Sequence, residues 1–423
     1  MNRLLQIFRV KDLRKKIFVV GGLLVAFRLF AAIPVPGIDA SRLEEYFSSN
    51  QFLGFLNFFS GGGLDNLSVM MLGVGPYITA TIVMQLFTII FPKFKEMYYE
   101  EGARGQAKFN RYSRWLTVPF AILQSYGFLS LLISQGVIDR PSAFDMVVNV
   151  SVIVAGSMVA LWFGELISEQ KIGNGISLII LAGIVSSLPS DIGLALTSYT
   201  PRLLPTYIGF VIVAVLIVFG VVYLNEGERK IPIAYARRVR GMKMYGGSSS
   251  YLPLKVNQAG MIPLIFAISV LLFPQFIAQL LSIVSAPLAI KVNDIITQFL
   301  NNQLFYGIFY FLLVFIFTYF YTAITFNPEE ISKNLQRSGG FVPGIRPGEA
   351  TGTFFSTIVN RITLLGAGAL GFIAVLPLII QWFTGVSVLT VSGTAVLIVV
   401  AVALETMRQI DSQLTMREYE GIN

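Results

Sequence analysis

Ten apolar runs, each long enough to cross about 30 Å of hydrocarbon, punctuate the chain near residues 17–35, 69–91, 116–136, 146–168, 176–196, 206–224, 257–283, 304–326, 362–383 and 386–405. Segments of this length can cross lipid only as helices or closed barrels, because every backbone polar group must be satisfied without water. An all-α polytopic membrane protein is therefore expected. The fifth run decides the count: its clean stretch from Ile176 ends at Pro189 and continues only weakly through Ile192 to Leu196. Losing it would invert every later span.

Loop charge tests the count independently, since cytoplasmic loops carry the Lys and Arg excess. With both ends in the cytoplasm, 26 of the 31 Lys and Arg residues fall inside. Only Arg42, Arg140, Arg202 and Lys291 fall outside, and Arg28 lies within the first run. The net charge of +8 thus follows from topology and needs no nucleic-acid partner. Arg28 stands near the outer end of its run, where a long side chain is expected to snorkel to the headgroups. The basic segment 3–16 before it is expected to lie on the lipid surface. Without a small-x-small cleavage site, the first run reads as a retained span rather than a signal peptide.

Composition removes most catalysis. Charged residues make up 13% of the chain, and there is no Cys and no His. Disulfides, thiolate metal sites and the commonest general base at neutral pH are excluded. No P-loop, Gly-x-Ser-x-Gly elbow or H-E-x-x-H helix occurs. No enzymatic site, cofactor or metal is expected. An ion-coupled small-molecule carrier fits the topology as an alternative, but such carriers place an ionisable group near the bilayer midplane. These spans place none there.

The stretch FFSGGGLDNLSVMMLGVGPYITATIVMQLF contains Gly61, Gly62 and Gly63, then Gly73, Gly75 and Pro76, and cannot be one unbroken helix. It reads as a short helix, a break and a span. Such a break either lines a pore or is a surface loop entering an ordinary helix. After it, Ile78 and Ile82 stand at i and i+4 on one face. Ile176 and Ile180 after KIGNG, and Ile262 and Ile265 around Pro263, repeat the pattern. By spacing alone these are packing residues as readily as anything else.

Two cytoplasmic loops are the most distinctive. NEGERKIPIAYARRVRGMKMYGGSSSYLPLKVN brackets a Gly-rich turn with strand-like stretches and predicts a hairpin. Its Arg229, Lys230, Arg237, Arg238 and Arg240 suit an anionic partner, or simply a solvated positive loop. In NPEEISKNLQRSGGFVPGIRPGEATGTFFSTIVNR, Asn327 caps a short helix with Pro328 at its first position. Arg346 follows between two Pro-Gly turns, pinned as a contact residue.

LGVGPYITATIVMQL, KIGNGISLII, GERKIPIAYARR, LPLKVNQAGMIP and NPEEISKNLQRSGGFVPGIRPG, in this order over nearly the whole chain, resemble the signature regions of the SecY family of protein-translocase channels. The resemblance implies two pseudo-symmetric inverted halves of five spans, residues 1–196 and 197–423, with a short re-entrant plug helix. The two halves show no persuasive sequence similarity to each other. It implies a constriction ring of Ile78, Ile82, Ile180, Ile265 and Ile398, with Ile176 and Ile262 beside it. The plug would be Gly61, Gly62, Gly63, Leu64, Asp65, Asn66, Leu67, Ser68, Val69, Met70, Met71 and Leu72. A lateral gate would open to lipid between the second and third spans and the seventh and eighth, lined by Gln85, Gln124 and Ser269. The basic hairpin and Arg346 would meet the ribosome and the SecA motor ATPase. SecE and SecG would be companion subunits, signal-bearing precursor polypeptides the cargo, the inner membrane the location, and a homodimer of the complex a further association. Two departures stand out: Ile398 lies in SGTAVLIVV, and Asp65 and Asn66 stand where relatives often carry a basic residue.

Overall fold

In a computed structural model of the chain, residues 10–36, 60, 62–64, 67–99, 101–134, 136, 138–197, 204–235, 238–240, 243–245, 249–284, 291–292, 295–296, 298–299, 302–384 and 388–420 are described. The first half holds α1 (Lys11–Ala31), α2 (Gly75–Ile90), α3 (Pro92–Tyr99), α4 (Gly102–Ser134), α5 (Ala143–Glu169) and α6 (Gly175–Thr197). The second holds α7 (Leu204–Glu226), strands β1 (Glu228–Tyr235), β2 (Arg238–Arg240), β3 (Lys243–Tyr245) and β4 (Ser249–Lys255), then α8 (Ile262–Val284) and α9 (Gln303–Thr325). After these come α10 (Pro328–Arg337), β5 (Gly340–Phe341), α11 (Glu349–Thr384) and α12 (Val388–Glu420).

Each of the ten apolar runs lies on one of these helices. Among the described residues, α5, α7, α9 and α11 each carry an 18-residue stretch of mean hydropathy 2.0 or more, long and apolar enough to cross a membrane. The doubtful fifth run is helical through Pro189 to Thr197. Helix starts follow local chemistry. Ser142 accepts from the Asp145 N–H, Asn302 from Phe305, and Asn327 from Glu329 and Glu330, satisfying donors that the first turn leaves open. On α7, Ile217 and Val221 are buried while Val215, Leu216, Phe219 and Tyr223 face outward. An outer surface as apolar as the interior is what lipid requires.

α2 packs on α4, and α8 packs on both. α12 packs on α6, α7 and α11. Outside the helices, β1 lies between β4 and β5 in an antiparallel sheet with Glu228 opposite Lys255 and Ala234 opposite both Ser249 and Phe341. The expected hairpin is thus present. It is completed by a strand from the second loop.

Chain immediately after the second apolar run forms α3, bent by 109° from α2. Residues 62–64 and 67–74 wind through bends and turns. Gly62, Leu67 and Gly73 have positive φ of 78°, 42° and 49°, which interrupts any right-handed helix.

Candidate functional site

The predicted ring residues come from four helices and all lie in or against one extended buried apolar cluster. Pro76, fixed in φ, stands in the first turn of α2, where its missing N–H costs nothing, and sets Ile78 and Ile82 one turn apart. α6 is started by Asn174, whose side chain accepts from the Ile176 and Ser177 N–H groups at 3.1 and 3.3 Å. Gly175 packs its backbone onto the Gly164 carbonyl of α5, so that α6 begins against a neighbour rather than in lipid. α8 begins after Gly260 at φ 63°, whose carbonyl accepts from Asn257 at 2.9 Å.

Ile78, Ile82, Ile180, Ile265 and Ile398 are each no more than 7% exposed and belong to one continuous apolar cluster. Ile176 and Ile262 are half-buried against it. The cluster also takes in Met70 and Val74 from the turn-rich segment. Buried branched apolar side chains of this kind are able to deny water and ions a continuous path.

The described residues of the segment 60–74 are tied down at several points. The Ser60 hydroxyl accepts from the Gly63 and Leu64 N–H groups at 3.0 and 3.1 Å. Pro34 and Ser68 form an antiparallel bridge: Val35 N–H donates to the Leu67 carbonyl and Val69 N–H to that of Ile33, both at 2.9 Å. Leu64, Leu67, Met71 and Leu72 are buried with Phe128, Leu129 and Leu132 of α4 and Ile153 of α5. Met70 and Val74 belong instead to the cluster that holds the predicted ring residues. Gly61, Asp65 and Asn66 lie outside the described residues. Arg28 does not fit the snorkelling expectation. Its guanidinium lies against Gly62, with Nη1 2.5 Å from where a Cβ would stand. The glycine leaves the space that the guanidinium occupies.

The three predicted gate residues lie on α2, α4 and α8, the helices that meet between the halves, but they do not bond one another across that junction. Gln124 is buried and donates to Thr79 of α2 at 3.2 Å, within its own half. Ser269 donates to the Ile265 carbonyl of its own helix at 2.8 Å. Gln85 keeps a buried Oε1 with no hydrogen-bond partner.

At the loops after α7 and α9, Ile231, Ile233 and Leu254 of the sheet share a core with Leu335 of α10, Val342, and Phe355, Ile358 and Val359 of α11. The Arg346 loop is fastened to that core. Ser332 donates to the Gly348 carbonyl at 2.5 Å and Thr351 to the Arg346 carbonyl at 2.9 Å. Gly344 and Gly348 turn it with φ of 84° and 102°, which suits glycine alone. Arg229 and Lys230 stand exposed at the start of β1, Lys230 beside Glu228 at 3.2 Å. The backbones of Arg238 and Arg240 lie in the β2–β3 ladder, and Arg237 lies outside the described residues.

Sequence reasoning missed the base of this platform. Asn225 and Asn257, just before and after the hairpin, are buried and bonded to each other at 3.0 Å. Arg408 of α12 donates to the Asn225 carbonyl and, at 3.0 Å, to Glu226. The matched Asn flanks of the hairpin were the available signal.

The family model SecY matches residues 68–407. The protein translocase subunit SecY of Mycobacterium tuberculosis (strain ATCC 25618 / H37Rv) is 41% identical over 434 residues, covering 98% of this chain and 97% of the relative. That of Corynebacterium glutamicum is 41% identical over 446 residues, covering all of both. Among solved structures, a protein-conducting channel has a TM-score of 0.64 at 19% identity, covering 93% of this chain and 91% of its own. Sec61 in a canine ribosome-channel complex has 0.61 at 18%, with the same coverage. A SecY protein whose plug domain stabilises the closed state of the translocation channel and maintains a membrane seal has 0.64 at 18%.

Proposed function

The chain belongs to the SecY family and is a multi-pass, protein-conducting subunit of a protein translocase, and we propose that its pore runs through the isoleucine collar. A secreted polypeptide passes between Ile78, Ile82, Ile180, Ile265 and Ile398, with Ile176 and Ile262 at the margin. Branched apolar side chains fit around a variable chain without offering it a binding site. Residues 61–72 act as the plug that leaves when a chain enters. Hydrophobic segments leave sideways to lipid where α8 meets α2 and α4. Their helix surfaces are apolar, and Gln85, Gln124 and Ser269 are the polar residues of that junction.

Both ends lie in the cytoplasm, ten helices span the inner membrane, and residues 1–196 and 197–423 form the two halves. The platform built on β1, β4, β5 and α10 receives the ribosome or the SecA motor, with Arg346 as the motor contact and Arg229, Lys230, Arg237, Arg238 and Arg240 as its basic surround. SecE and SecG complete the complex. Ribosome docking gains support from the likeness to a channel held in a ribosome complex. The observation that carries the pore reading is the burial of ring residues from four helices within one apolar cluster that also holds Met70.

Vesicles containing the chain, its companion subunits and the motor should import a signal-bearing precursor when given ATP. Vesicles without the chain should not. Import that does not depend on the chain would contradict the reading.

A further inference from the structure

The turn-rich segment is held by more than its own hydrogen bonds. Val69, in its middle, donates to Ile33 just beyond α1, while its carbonyl lies on the backbone of α5 at Gly156. A Cβ at position 156 would fall inside contact distance of the Val69 carbonyl and 3.0 Å from its Cγ1. The neighbour in the way is backbone, which cannot rotate aside. α1 also packs on α5, so the segment meets a surface made by two helices that touch. At its start, Gly62 with φ 78° lies under the Arg28 guanidinium of α1.

We propose that Gly156 is the seat of the plug and Arg28 its latch. The absent side chain on α5 lets Val69 come close enough for Met70 to reach the collar, and the guanidinium holds the glycine turn in place. The inference rests on the reading of residues 61–72 as the plug. Neither residue touches the translocating chain in this role. Both are positioning residues for the shut state.

The test uses the full chain with its companion subunits in vesicles. Gly156→Ala, Gly156→Val and Arg28→Gln are compared with the unaltered chain and with a deletion of residues 62–70. Two quantities are read: resting ion flux without precursor, and the rate at which a Pro34→Cys, Ser68→Cys pair closes. Bridged antiparallel residues lie about 4.5–5.5 Å apart at Cα, within disulfide reach, and the chain has no other cysteine. Forcing a side chain into a packed backbone contact should shift the open-to-shut ratio on the order of tenfold. Gly156→Val should therefore raise resting flux and slow bridging, with Gly156→Ala between it and the unaltered chain. Arg28→Gln, which adds no bulk, should raise flux more modestly. Import of a signal-bearing precursor should persist.

If the deletion leaks while the Gly156 and Arg28 variants keep both the unaltered flux and the unaltered bridging rate, the inference is overturned and the plug reading stands. A tight deletion overturns both. Should Gly156→Val fail to assemble, Gly156→Ala and Arg28→Gln decide on the same two measurements.

Discussion

Isoleucine at positions 78, 82, 180, 265 and 398 combines a stiff first torsion with a flexible terminal ethyl group. A ring of such side chains closes on itself when idle and yields at its tips when occupied. The i, i+4 spacing of Ile78 and Ile82 was legible, but spacing does not separate a collar from ordinary helix packing. The motifs around the residues are what proposed a ring. Arg28 was legible as an ionisable group in a span. Its destination was not, because Gly62 is brought to it by a backbone path that no periodicity encodes. Leu67 is likewise a structural finding: a buried leucine at φ 42°. Such a conformation costs about 1–3 kcal/mol, and here bonds to Val35 and Leu64 hold it. At this scale the sharpest prediction concerns Arg346. Its loop is fixed by Ser332 and Thr351, so Arg346→Glu should leave the fold and resting seal intact. Motor-driven import should fall by about tenfold or more, as reversing a charge at a docking contact does. Arg346→Lys should be intermediate, since an ammonium keeps the charge but not the planar fork. Import by the Glu variant at the original rate would remove Arg346 from the motor contact.

Among elements, the cytoplasmic platform was half legible. IPIAYA and SYLPL alternate on either side of a Gly-rich turn and become β1 and β4 in the expected antiparallel register. The third strand spans only Gly340–Phe341, too short to leave a pattern, yet it joins the two loops. The run-based boundaries also fell short of the helices. α4, α11 and α12 reach out to Gly102, Glu349 and Glu420, because hydrocarbon thickness limits the apolar part of a helix and not the helix. The platform's core predicts its own weak point. Phe355 is fully buried, and Phe355→Ala should cost about 3–5 kcal/mol locally. Limited proteolysis should then cut between 228 and 348 faster and motor-driven import should fall. Resting ion flux should not change, because the collar lies in a separate cluster. An unchanged cleavage pattern would mean that the two loops do not depend on a shared core.

For the whole molecule, charge and helices lead to one topology. The chain has no cysteine, so single replacements report cleanly. Cysteines at Lys11, Lys93, Lys333 and Ser412, all exposed, should react with an impermeant thiol reagent from the cytoplasmic side. Those at Arg140 and Lys291 should react only from the other. Equal labelling of Lys93 and Arg140 from one side would break the ten-span count. The last helix binds the halves together. Gln413 donates to the Lys171 carbonyl and accepts from Lys16 at 3.3 Å, while Arg408 holds the base of the platform. The same helix carries Ile398, so the base of the loop platform and one proposed ring residue stand on one helix. That arrangement places the central claim in the collar, and ionic current across a planar bilayer holding the complex tests it most directly. Ile180→Asn puts a polar group where exposure is 1%. An unsatisfied buried polar group costs about 1–3 kcal/mol, enough to favour water entry on the order of tenfold. The unaltered channel should be silent without precursor, and the Ile180→Asn channel should conduct. An Ile180→Asn channel as silent as the unaltered one would contradict the account.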